Sequence, residues 1–111
     1  MKVNTQDYNK VTVVELQGEL DGDAAEVFRG AISNAVQHGK VGVVLDMHSV
    51  SFIASEGLSL LLWARDYSNQ NSVELRMAGL DENCMKILEV TRLDKAFDRY
   101  QDLAAAVKSI A

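Results

Sequence analysis

Val41-Gly42-Val43-Val44-Leu45-Asp46-Met47 is a short, almost unbroken apolar run, the pattern of a central strand covered on both faces. Downstream, Glu56 to Tyr67 sets Leu58, Leu61 and Leu62 on one helical face and broadens it with Leu60, Trp63 and Ala64. Such a helix is expected to be mostly buried. The segment between them, Asp46-Met47-His48-Ser49-Val50-Ser51-Phe52-Ile53-Ala54-Ser55, therefore hands a buried strand over to a buried helix. A strand followed directly by a helix is half of a β–α–β crossover, and the flanking sequence continues the alternation.

Upstream, Lys2 to Asp7 and Tyr8 to Gln17 read as paired strands joined through Asn9-Lys10, the second rich in β-branched residues (Val11, Thr12, Val13, Val14). Gly18 ends that strand. Asp21 or Asp23 then caps a helix whose apolar positions Ala24, Phe28, Ala31, Ile32 and Ala35 recur at helical spacing, closed by His38-Gly39. Downstream, Asn69-Gln70-Asn71 turns into the alternating Val73-x-Leu75-x-Met77 strand, stopped by Gly79. Asp81 to Val90 predicts a third helix, Ala96 to Tyr100 a short edge strand, and Gln101 to Ile110 a closing helix with Leu103, Val107 and Ile110 inward. Strands interleaved with helices in this order predict an α/β domain with a mixed sheet, its parallel members joined by right-handed crossovers.

At 111 residues and 48% hydrophobic, the chain suits one domain spanning residues 1–111. Nothing in it reads as a linker or repeat, and it contains no proline. The net charge of −5 argues against nucleic acid and anionic membrane surfaces, which are gripped by clustered Lys and Arg. No apolar run approaches bilayer length and the start, Met1-Lys2-Val3-Asn4-Thr5, is not a secretory signal, so a cytoplasmic location is expected. The lone Cys84 cannot form an internal disulfide and reads as core. No metal and no cofactor is implied.

Ser55 is the residue that could carry chemistry, because it falls where the second helix begins. Serine is a preferred N-cap, and a phosphate on the same oxygen would face the positive end of the helix dipole. An enzyme reading would recruit His48 as base and Asp46 as its orienting partner. Against it, the three residues lie on one expected loop, no Gly-x-Ser-x-Gly elbow surrounds the serine, and no Gly-rich oxyanion loop occurs elsewhere. His48 reads instead as a solvent-facing loop residue and His38 as a helix-terminal one. Met85, Ile87 and Leu88 on the third helix exceed one buried stripe, which leaves room for a partner or homodimer contact.

Five segments, taken in order and spacing, resemble a STAS domain of the anti-sigma factor antagonist type: Gly18-Glu19-Leu20-Asp21, Val44-Leu45-Asp46, Val50 through Leu58, Leu75 through Leu80, and Leu93-Asp94-Lys95-Ala96-Phe97. The resemblance implies a mixed sheet with about four helices packed mainly on one side. It implies a phospho-regulated protein-binding module and not an enzyme. Ser55 matches the phosphoacceptor of an anti-sigma factor serine kinase of ATPase type, and a serine phosphatase reverses the modification. The unmodified form binds that kinase and releases a sigma factor or related effector. Gly57 and Leu58 match the residues that begin the helix, and Asp21 an acidic residue near the acceptor.

Two positions depart from the family pattern: Ala54 stands where Asp often precedes the acceptor, and Glu56 where Ser or Thr often follows. A constitutive STAS adaptor, for example a subunit of a lipid-transport complex with no phosphate cycle, is the alternative. The expected docking surface comprises Asp21, Asp23, Ala54, Ser55, Glu56, Gly57 and Leu58. A phosphate there would add about −1.5 to −2 charge beside Asp21, Asp23 and Glu56 and oppose docking.

Overall fold

The structure is a computed structural model and describes residues 1–110. Five strands form one sheet in chain order: β1 (Lys2–Tyr8), β2 (Val11–Leu20), β3 (Gly42–Ile53), β4 (Glu74–Ala78) and β5 (Asp98–Tyr100). β1 and β2 pair antiparallel through the tight Asn9-Lys10 turn, in which Asn9 takes a positive φ of 56°, a conformation Asn tolerates better than most residues. The other three pairings are parallel. Each parallel step moves one strand further in the same direction, so a uniform right-handed crossover places every connecting helix on the same face. α1 (Ala25–Gln37), α2 (Ser55–Gln70) and α3 (Glu82–Val90) accordingly share one core with Val14, Leu16, Val43, Leu45, Met47 and Met77. The other face carries α4 (Leu103–Lys108), whose Ala106, with Leu103, Val107 and Ile110, packs on Val11, Val13 and Val44. The expected mixed sheet with helices mainly on one side is what the chain forms.

Several boundaries differ from the sequence reading. β2 does not stop at Gly18 but passes through it at a φ of +107° and runs to Leu20. α1 is preceded by a 3₁₀ turn over Gly22–Ala24, which Asp21 caps by accepting from the Asp23 N–H. The edge strand is shorter than expected because Asp94–Ala96 forms a second 3₁₀ turn. α4 begins only at Leu103, where Asp102 supplies the cap.

The largest difference lies in β3, which extends to Ile53 where a loop was expected. Its register against β2 slips between Glu15 and Gln17 and again between Gly18 and Glu19. Each slip adds a residue to β3, and these bulges let Val50 and Ile53 both face the core although their spacing is not that of a regular strand. His48 is therefore a strand residue.

The surplus apolar residues of α3 are largely absorbed. Leu88 is fully buried and Ile87 packs against the core, and the outward apolar residue is Val90. Cys84 is buried, as expected, and burial pushes its thiol up to about 12, which makes it inert as a nucleophile at neutral pH.

Candidate functional site: the entrance of the second helix

The C-terminal ends of β2 and β3 lie side by side, and in an open parallel sheet that edge is where loops gather side chains for binding. Leu20 closes β2 and Ile53 closes β3, directly opposite one another. A single residue, Ala54, separates β3 from α2. Its N–H donates to the Leu20 carbonyl at 2.9 Å, tying the start of α2 to the end of β2. Gly57, in the first turn, comes so close that a side-chain carbon placed on it would stand 2.1 Å from that same carbonyl oxygen. Only glycine fits there.

Ser55 is not the N-cap. That position belongs to Ala54, whose extended backbone (φ −78°, ψ 170°) starts the helix without any side-chain cap. Ser55 is the first helical residue, it is exposed, and its hydroxyl donates to Glu56 Oε1 at 2.8 Å. The hydroxyl is thus a surface group, placed at the positive end of a sixteen-residue helix. Glu56 is exposed too, and the Ser55 hydroxyl, followed by its own backbone N–H, holds its carboxyl below the usual range. A negative group already sits where the helix dipole favours one.

The acidic turn joins the site through Gly22. A side-chain carbon on Gly22 would lie 3.6 Å from Glu56 Cγ, so the Asp21-Gly22-Asp23 turn packs against the Glu56 side chain. Asp21 is half-buried and Asp23 exposed. Leu58 is half-buried and Gly57 buried. The structure therefore brings together Asp21, Asp23, Ala54, Ser55, Glu56, Gly57 and Leu58, with Gly57 acting from beneath the surface.

One residue was not in the expected set. Phe52 lies opposite Glu19 in the sheet and is 46% exposed, a large aromatic three residues before Ser55. Its direction follows from the structure: with Ile53 facing inward, its strand neighbour faces out.

The structure does not assemble the triad: no hydrogen bond joins His48 to Ser55 among the described residues. His48 Nδ1 does approach Asp46 Oδ1 at 2.8 Å, but the Ser55 hydroxyl is committed to Glu56. Hydrogen bonding to Asp46, then its charge, and more weakly the charge of Glu15, raise the His48 pKa above 6.5. A raised histidine pKa contributes stability that is present below the unfolded value and is lost as pH climbs through the folded one. With its side chain 58% exposed, that contribution is small and screened. An NMR titration in chelator-containing buffer should show the His48 midpoint falling when Asp46 is replaced by Asn, and an unmoved midpoint would contradict the pairing.

A five-stranded sheet with three crossover helices on one face, and a serine presented at the entrance of the second, defines a small single-sheet α/β domain. The chain belongs to the STAS domain family, whose profile matches residues 2–106. Among its relatives is the anti-sigma-F factor antagonist RsfB of Mycobacterium tuberculosis, 27% identical over 108 residues, which cover 97% of this chain and 88% of that protein. The crystal structure of an anti-sigma factor antagonist from Mycobacterium paratuberculosis superposes with a TM-score of 0.85 at 25% identity, covering 98% of this chain and 92% of the other. The Bacillus protein SpoIIAA in its phosphorylated form shares the fold, with a TM-score of 0.75 at 20% identity and coverage of 99% and 100%.

Proposed function

We propose that this protein is a cytoplasmic partner-switching module whose docking face is gated by phosphorylation of Ser55. The observation that carries the reading is the exposed Ser55 hydroxyl on the first residue of α2, flanked by the acidic turn at Asp21 and Asp23. Its relatives are anti-sigma factor antagonists, and one fold neighbour is known in a phosphorylated form. Both support a binding role in preference to catalysis. In the unmodified state Ser55, Leu58 and Phe52 offer small and apolar groups to an anti-sigma factor serine kinase of ATPase type. A phosphate on Ser55 sets its charge beside Glu56, Asp21 and Asp23, where docking would have to desolvate it among like charges. A serine phosphatase restores the docking state.

Glu56 shapes this switch. Its carboxylate accepts the Ser55 hydroxyl proton at 2.8 Å, which leaves the oxygen lone pairs free to attack a nucleotide phosphate and gives the departing proton an acceptor. After transfer it stands against the new phosphate. The modified form is thereby made less comfortable locally, although the helix dipole and the uncapped first-turn N–H groups offset part of that repulsion.

Intact-mass analysis of protein isolated from its own host tests the proposal. Two species are expected, separated by the mass of one phosphoryl group on Ser55, with the heavier one confined to the fraction free of partner. A single unmodified mass under all growth conditions would point to a constitutive adaptor instead.

A further inference from the structure

We propose that Glu15, Asp46 and His48 form a binding site for one divalent transition-metal cation of the Zn²⁺ class, on the sheet face that carries α4. Glu15 of β2 and Asp46 of β3 are direct cross-strand partners in a parallel pair, and His48 follows Asp46 along β3. One ligand atom from each of the three lies within 4.8 Å of the others. A cation holding nitrogen and oxygen ligands at about 2.0–2.2 Å keeps them roughly 3–4.4 Å apart. Small side-chain rotations are therefore enough to close the three around an ion.

The charge balance of the cluster favours such an occupant. Asp46 is only 7% exposed and Glu15 is half-buried, so two carboxylates share a partly dehydrated patch of sheet. Like charges opposed across strands repel. Among the described residues neither has an ion pair with lysine or arginine, and the one ring nitrogen near them is His48 Nδ1, at 2.8 Å from Asp46 Oδ1. The Gln17 and Asn4 amides donate to Glu15 Oε1 at 3.2 and 3.5 Å, fixing that carboxylate in the manner of groups that orient metal ligands from behind.

The histidine is fixed from the neighbouring strand end. A side-chain carbon on Gly79 would stand 2.9 Å from His48 Cβ, so the glycine backbone packs directly on it. Glu15 and Asp46 line an open cavity of about 350 Å³ with Asn4, Thr5, Gln6 and Leu103, which leaves room for water on the positions the protein does not fill. An imidazole with two carboxylates selects Zn²⁺ and its transition-metal neighbours over Mg²⁺ and Ca²⁺, which take oxygen donors. The motif is invisible to spacing rules because its ligands come from two strands far apart in sequence.

The test uses the tag-free full chain, stripped with a chelator and titrated with ZnCl₂ or MgCl₂ by calorimetry, with the histidine ring signals followed by NMR. One equivalent of Zn²⁺ is expected to bind and to shift the His48 ring signals while leaving those of His38 in place. Glu15→Gln and His48→Gln should each weaken binding by about tenfold or more, and His38→Gln should leave it unchanged. Absence of saturable binding, equal movement of both histidines, wild-type affinity in His48→Gln, or equal binding of Mg²⁺ would each overturn the proposal. The wild-type NMR readout stands even where a variant folds poorly. The site is separate from Ser55, so neither outcome bears on the partner-switching proposal.

Discussion

Gly57→Ala is expected to cost about 3 kcal/mol or more of folding stability, lowering the thermal midpoint by roughly 12 °C. The reason is local and backbone-on-backbone. An alanine Cβ at this position would stand 2.1 Å from the Leu20 carbonyl oxygen, and that oxygen is already held by the Ala54 N–H at 2.9 Å. Neither side can retreat by turning a side chain. Relief requires α2 to lift from the end of β2, breaking the Ala54 hydrogen bond and loosening the contact of Leu60 and Leu61 with the core. Gly30→Ala supplies the internal contrast. Gly30 lies on the exposed side of α1 with nothing within 4 Å of an added Cβ, so alanine there should stabilise by about 0.5–1 kcal/mol through better helix propensity. Denaturant unfolding of the two variants checks both signs, and a Gly57→Ala midpoint equal to wild type would contradict the packing at the site.

The same glycine shows which parts of the site could be read from the sequence and which could not. The positions of Ser55 and Glu56 at the start of a helix were legible because Leu58, Leu61 and Leu62 share a helical stripe and the strand before them is continuous and apolar. The chain-order sheet follows from alternation together with the handedness of crossovers. The detail at the junction was not legible. Serine is so good a cap that Ser55 was expected to serve as one, yet β3 runs on to Ile53 and the cap falls on Ala54, which has no polar side chain to offer.

That extension depends on two bulges, and a bulge changes the inward-outward alternation without leaving a mark in the residue types. Phe52 was hidden for the same reason, since its outward direction follows only once Val50 and Ile53 are both known to face in. The juxtaposition of Glu15 with Asp46 and His48 is a matter of strand register, set by the core residues around it, and single-sequence patterns carry no register between distant strands.

Partner switching requires Ser55 to be an exposed charge gate, and Ser55→Asp addresses that directly. Ser55 is exposed and makes its one side-chain hydrogen bond to Glu56. Aspartate on the first residue of α2 suits the helix dipole, so the fold should keep its stability to within about 0.5 kcal/mol. At the docking face the same substitution places a fixed negative charge beside Glu56 and near the Asp21 turn. Like charges brought together at an interface cost several kcal/mol, which corresponds to about a hundredfold or more in affinity. Ser55→Ala removes the hydroxyl without adding charge and should bind like wild type. Calorimetric titration of the partner retained by wild-type protein from host lysate, against all three forms at equal ionic strength, is the most direct measurement. An affinity for Ser55→Asp about a hundred times weaker than for wild type and Ser55→Ala is the predicted result, and equal affinity for all three would contradict the gate.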